Sequence, residues 1–110
     1  MASQADPETI ALIRRLAAAA GSVRPTKGAQ YELLAYRLRG ADVCDAIVNW
    51  IDAGERVKPT ALHSIPGRIG QAAYEMKPRF DGRRFYIKVV IDDRGGAQEC
   101  LVLLSVHPDR

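Results

Sequence analysis

Arg83-Arg84-Phe85-Tyr86-Ile87-Lys88-Val89-Val90-Ile91 decides how the rest of this chain is read. The stretch is rich in β-branched and aromatic residues and alternates in character, which predicts a half-buried strand. Phe85, Ile87, Val89 and Ile91 point to one side. Arg84, Tyr86, Lys88 and Val90 point to the other. One side is a core face, and the other carries a phenol and an ammonium on a rigid platform. Function is expected on that second face.

Working outward, Gln71 to Pro78 and Cys100 to His107 read as two further strands. Asp81-Gly82 and Asp92-Asp93-Arg94-Gly95-Gly96 separate the three, and both are turn signals for antiparallel neighbours. In the last strand, unbroken alternation puts Leu101, Leu103, Ser105 and His107 on one face. Cys100, Val102, Leu104 and Val106 take the other. A meander sets Ser105 and His107 beside Tyr86 and Lys88 if the register is right. A slip of one residue would turn the whole set into the core.

The first half of the chain is helical. Asp6-Pro7-Glu8 opens a helix as N-cap, first-turn proline and first-turn acid. Ile10, Ile13, Leu16, Ala17 and Ala20 form its stripe, Gly21 stops it, and Arg14-Arg15 read as a solvated basic edge. Ser22 to Pro25 is extended, since the residue before a proline avoids the helical region. Thr26 caps a second helix with Ala29, Leu33, Leu34 and Tyr36 as apolar members, closed by Arg37-Leu38-Arg39-Gly40. Asp42 starts a third, with Val43, Ala46, Ile47, Trp50 and Ile51 as its stripe. Val57 to Thr60 is extended, and the prolines and glycines at 59, 66, 67 and 70 make residues 55–70 a long loop bounding the open sheet face. Helices followed by a meander predict an α+β fold, with N-terminal helices packed on one face of a small antiparallel sheet. Residues 1–5 are expected to be frayed.

A chain of 110 residues fits a single domain over 1–110. The net charge of +3 and pI near 9.1 permit a polyanionic partner without demanding one. Basic residues clearly outnumber acidic ones between Arg56 and Arg94. Cys44 and Cys100 read as small buried residues, not a disulfide framework, which suits a reducing cytoplasm. No leader-like start and no apolar run of membrane-spanning length is present, so no membrane partner is expected.

Most catalytic classes find no support in the residues. His63 and His107 are the only histidines and no Cys/His cluster joins them, so neither a metal nor another cofactor is expected. The glycines are scattered turn residues, not a phosphate loop. Ser105 lies inside a strand, and the acids sit in turns or at helix starts, which argues against a glycosidase pair. One constellation remains. His107 can donate or accept a proton near neutrality. Tyr86 is a neutral donor and Lys88 a fixed cation, with Arg83, Arg84 and Lys77 around the rim and Gln71 within reach. Such a set suits RNA cleavage without a metal, in which the substrate's own 2′-hydroxyl is the nucleophile and cations neutralise the phosphate. The plainer alternative is that Tyr86 and Lys88 are ordinary exposed strand residues and His107 a terminal surface histidine.

At these residues the chain resembles a known family. Val23-Arg24-Pro25-Thr26, Asp42-Val43-Cys44-Asp45-Ala46-Ile47, Gln71-Ala72-Ala73-Tyr74 with Lys77-Pro78, Phe85-Tyr86-Ile87-Lys88-Val89 and Leu103-Leu104-Ser105-Val106-His107 carry the likeness. It is to the motility quorum-sensing regulator (MqsR) toxins of bacterial toxin–antitoxin systems, which share the RelE-like toxin fold. The resemblance spans about Val23 to His107. It implies an endoribonuclease, an mRNA interferase held in check by a protein antitoxin, as a toxin–antitoxin hetero-oligomer or with a toxin homodimer. By motif it implies catalytic roles for Gln71, Tyr86 and Lys58, with His107 where the family carries a lysine. The RNA-binding set becomes Lys88, Arg84, Arg83, Lys77, Arg68 and His63. A non-catalytic nucleic-acid- or protein-binding module of the same fold, or a gyrase-directed toxin, are the alternatives.

Overall fold

The structure is a computed structural model and describes residues 4–19, 21–62, 70–92 and 99–109. Three helices pack against an open, mixed sheet. Helix α1 (Pro7–Ala18) begins as its sequence requires: Asp6 is the N-cap, its carboxylate accepts from Thr9 N at 2.9 Å, and Pro7 follows. Ile13, Leu16 and Ala17 are buried beneath it. The expectation of a frayed start is corrected at Gln4 and Ala5, and residues 1–3 lie outside the described residues. Ala5 N donates to Val57 O at 2.8 Å, and Gln4 Oε1 accepts from Val57 N at 2.9 Å. This reciprocal pair docks Gln4 and Ala5 against the body, where the sequence suggested disorder.

Helix α2 (Lys27–Ala35) is capped by Thr26, whose hydroxyl accepts from Ala29 N. It ends earlier than expected. Arg37, at φ 56°, occupies the left-handed position where a glycine is usual. Leu38 N then bonds back to Leu33 O at 2.9 Å and closes the turn. Gly40 is therefore not a stop signal but the first residue of α3 (Gly40–Asp52). Asp42 sits at the third helical position and accepts from Arg39 N at 2.8 Å, one half of a capping box. Arg14 is also more than a solvated edge. Its guanidinium grips Asp52 of α3 with contacts of 2.6 and 2.9 Å, fixing the angle between the two helices.

The sheet holds β1 (Val23–Pro25), β2 (Lys58–Ala61), β3 (Ala72–Met76), β4 (Arg79–Phe80), β5 (Arg83–Asp92) and β6 (Cys100–Pro108). The order is β1-β6-β5-β3-β2, with β4 also paired to β5. It is not purely antiparallel. Strand β1, read from the sequence only as an extended segment, runs parallel to β6. Asp81 and Gly82 both have positive φ, 52° and 79°, as a tight hairpin turn of the primed type needs. The expected turn over 92–96 falls mostly outside the described residues.

Strand alternation fails at one place, and the failure organises the fold. Four pairs run in step from Phe85↔Pro108 to Lys88↔Ser105, and the next is Val89↔Leu103. Leu104 is the extra residue of a β-bulge. Beyond it the parity of β6 reverses. Leu101, Leu103 and Val106 join the helix-side core with Ile87, Val89, Ile13, Val43 and Ile47. Val102 and Leu104 turn to the opposite face, where they cluster with Leu62, Ala73 and Val90. The expected grouping of Leu101 and Leu103 with Ser105 and His107 is thus corrected. No helix among the described residues is long and apolar enough to cross a membrane.

Two adjacent leucines of α2 report on this packing. Leu33 is buried in the core, whereas Leu34 is 78% exposed. Leu33→Ala should cost about 2–5 kcal/mol in chemical denaturation. Leu34→Ala should stay within about 0.5 kcal/mol of the parent protein.

Candidate functional site

Strand register alone assembles the site. On the sheet face away from the helices, Tyr86 lies opposite His107 and Lys88 opposite Ser105. Glu75 lies opposite Lys88, and Lys58 opposite Glu75. The pairs Met76↔Ile87 and Arg79↔Arg84 share one register, which sets Lys77 opposite Tyr86. Two rows result, Lys77–Tyr86–His107 and Lys58–Glu75–Lys88–Ser105, with neighbouring strands about 4.8 Å apart.

Within the first row the rings of Tyr86 and His107 stack, with centroids 5.2 Å apart and planes 30° from parallel. The Tyr86 hydroxyl donates to Glu75 Oε2 at 2.5 Å. Burial pushes the phenol's pKa well above its ordinary value. The hydrogen bond to Glu75 and the negative charges of Glu75 and Asp109 push the same way. Tyr86 is therefore a protonated donor and not a base. Lys88 Nζ stands 5.8 Å from the Tyr86 ring centre, a cation–π distance.

His107 is held from the other side by a residue that the sequence did not single out. Strand β1 pairs with β6 only as far as Leu103, and Thr26 N bonds to Leu103 O. Past that point the outer edge of β6 has backbone groups to satisfy. Glu32, on α2, reaches this edge. Its Oε1 accepts from Val106 N at 3.0 Å and its Oε2 lies 2.7 Å from His107 Nδ1. An ionised carboxylate only accepts, so this contact calls for a proton on Nδ1, and in the neutral imidazole Nε2 then keeps its lone pair. No described residue bonds to Nε2. In the sequence, Glu32 is one acid in a short helix, and nothing there reveals the strand edge it meets.

These groups wall an open depression of about 690 Å³, lined by Glu32, Tyr36, Arg83, Tyr86, His107, Pro108 and Asp109. Arg83 stands 5.9 Å from the Phe85 ring centre. Arg84 shares the alternation of Tyr86 and is exposed. Lys77 pairs with Asp109 at 3.6 Å. Lys58 and Lys88 lie one row away on the same face.

Gln71 is not part of this group. Its amide donates to Ile91 O at 3.1 Å, five residues along β5 from Tyr86 and roughly 17 Å away at strand spacing. It ties the ends of β3 and β5 together. His63 and Arg68 lie outside the described residues. Among those described, no three His, Cys, Asp or Glu side chains converge to hold a metal ion. No protein-family model, curated protein or solved structure matches the chain.

The raised pKa of Tyr86 has a measurable consequence. The folded state favours the neutral phenol, so this contribution to stability is complete below about pH 10, the ordinary tyrosine value. It is lost as pH rises through the folded value. In an ultraviolet titration of the four tyrosines, the phenolate signal of the folded protein near pH 10–11 should be unchanged by Tyr86→Phe. A drop in that signal would contradict the Tyr86–Glu75 geometry.

Proposed function

We propose that this chain is the toxin of a bacterial type II toxin–antitoxin pair, a metal-independent endoribonuclease that cleaves mRNA through attack of the 2′-hydroxyl. The observation carrying this reading is the Glu32–His107 pair, which turns Nε2 of the neutral imidazole toward duty as a base in an open depression that Arg83 also lines. Nε2 takes the proton of the 2′-hydroxyl. The freed oxygen attacks phosphorus, the bond to the 5′-oxygen breaks, and a 2′,3′-cyclic phosphate and a 5′-hydroxyl result. The imidazolium so formed gives its proton to the leaving 5′-oxygen, and Tyr86, whose own proton is held toward Glu75, positions the ring by stacking on it. Arg83 and Arg84 neutralise the non-bridging oxygens. Lys77, Lys88 and Lys58 take flanking phosphates. The MqsR-like, RelE-like resemblance supports a part for Tyr86, whereas Lys58, catalytic by that resemblance, takes a flanking phosphate in this reading, and Gln71 drops out of the catalytic set. The cognate antitoxin would cover the cationic face or add to a sheet edge.

A second reading has its own observation. Glu32 also satisfies Val106 N, and Tyr86 is engaged by Glu75. Both acids then serve the fold, and the surface is a non-catalytic nucleic-acid- or protein-binding module.

The two readings part in one assay. Protein freed of any partner is incubated with RNA in EDTA. Cleavage should occur, and His107→Ala with unchanged folding should slow it by about 10²-fold or more. Tyr86→Phe should slow it less. Intact RNA with the parent protein would remove the enzyme and leave the binding module.

A further inference from the structure

The described residues with large exposed apolar side chains are Tyr31, Leu34 and Tyr36, at 64%, 78% and 39% exposure. All three belong to α2 or its C-cap. Tyr36 turns to the depression and meets Phe85 edge-on. Tyr31 and Leu34, three residues apart, share the outer face of the helix, opposite the buried Ala29 and Leu33. No described residue covers them. Two large apolar side chains side by side on one exposed helix face form a candidate docking surface.

Charge indicates what docks. Lys27 lies one turn before Tyr31, and Arg37 lies three residues after Leu34. Both are exposed, and neither has an ion-pair partner among the described residues. The nearest acid of the helix, Glu32, is committed to His107 and Val106. The outer face is thus an apolar pair with Lys27 one turn before it and Arg37 just past the end of the helix. A second copy of this chain fits it poorly. A two-fold axis across the helix would bring Lys27 against Arg37 of the other copy, and an axis along it would bring each cation against itself. Like charges meet in both arrangements.

We infer that the outer face of α2, centred on Tyr31 and Leu34, docks an acidic amphipathic helix of a partner protein. Its apolar stripe covers these two side chains, and its flanking carboxylates meet Lys27 and Arg37. This surface abuts the Tyr36 and Glu32 wall of the depression but shares no side chain with the proposed chemistry. The inference therefore stands whether or not the chain cleaves RNA.

The test uses two synthetic helical peptides with the same leucine stripe, one flanked by glutamates and one by lysines. Binding to the full chain is followed by fluorescence anisotropy. The glutamate peptide should bind at least about tenfold more tightly, and added salt should weaken it. Tyr31→Ser and Leu34→Ser should each reduce its affinity by about tenfold with unchanged melting, since both positions are exposed. Lys27→Glu should reduce it without touching the apolar pair. Equal binding of the two peptides, no binding, or full affinity in Leu34→Ser would overturn the inference. A dimer in sedimentation that Leu34→Ser disperses would assign the face to a second copy. Weaker RNA binding in Tyr31→Ser and Leu34→Ser would assign it to nucleic acid. Either result would overturn the acidic helix.

Discussion

One extra residue in β6 reconciles two demands that a regular strand could not meet together. The helices need Leu101, Leu103 and Val106 beneath them, and these are not spaced two apart throughout. The opposite face needs Ser105 and His107 beside Lys88 and Tyr86. The bulge at Leu104 reverses the parity between these sets. Without it, either Leu101 and Leu103 would face away from the helices, or His107 would be driven into the core. Core packing and site assembly are therefore one constraint.

The second dependence is on an edge. Strand β1 is short and covers β6 only to Leu103. The uncovered backbone beyond it draws α2 across the end of the sheet through Glu32. One carboxylate then satisfies a strand-edge amide and orients an imidazole. This is why a helix supplies part of a site that otherwise lies on strands. It also explains why the outer side of that helix remains in water: its buried side is already shared between the core, through Ala29 and Leu33, and the edge of β6.

Electrostatically the open face is mixed. Glu75 lies between Lys58 and Lys88, Glu32 holds His107, and Asp109 meets Lys77. The acids hold neighbouring side chains of the candidate site in place, and the cations extend outward. Tyr86 shows the effect most clearly, since burial and Glu75 together hold its proton on. The Arg14–Asp52 pair serves a different end. Both partners are well exposed, so it sets the angle between α1 and α3 more than it stabilises them.

Much was legible in the chain itself. The caps at Asp6 and Thr26, the Asp81-Gly82 turn, the alternation of residues 83–91 and the α+β class are local or periodic, and local patterns are written in neighbouring residues. The face shared by Tyr86 and His107 followed from alternation at the C-terminal end of β6, beyond the bulge. What the tertiary structure decided depends on distant pairing. Arg37, not Gly40, closes α2 because the backbone needs a left-handed residue there. Strand β1 runs parallel to β6 through contacts nearly eighty residues apart in sequence. The bulge at Leu104 has no composition of its own, since Leu103 and Leu104 are chemically identical and only their partners differ. Glu32 reaches His107 across seventy-five residues, and no spacing rule within a helix can foresee the strand edge it meets. Gln71, adjacent in sequence to the same strands, went to the far end of the sheet because register, not proximity along the chain, sets which side chains meet.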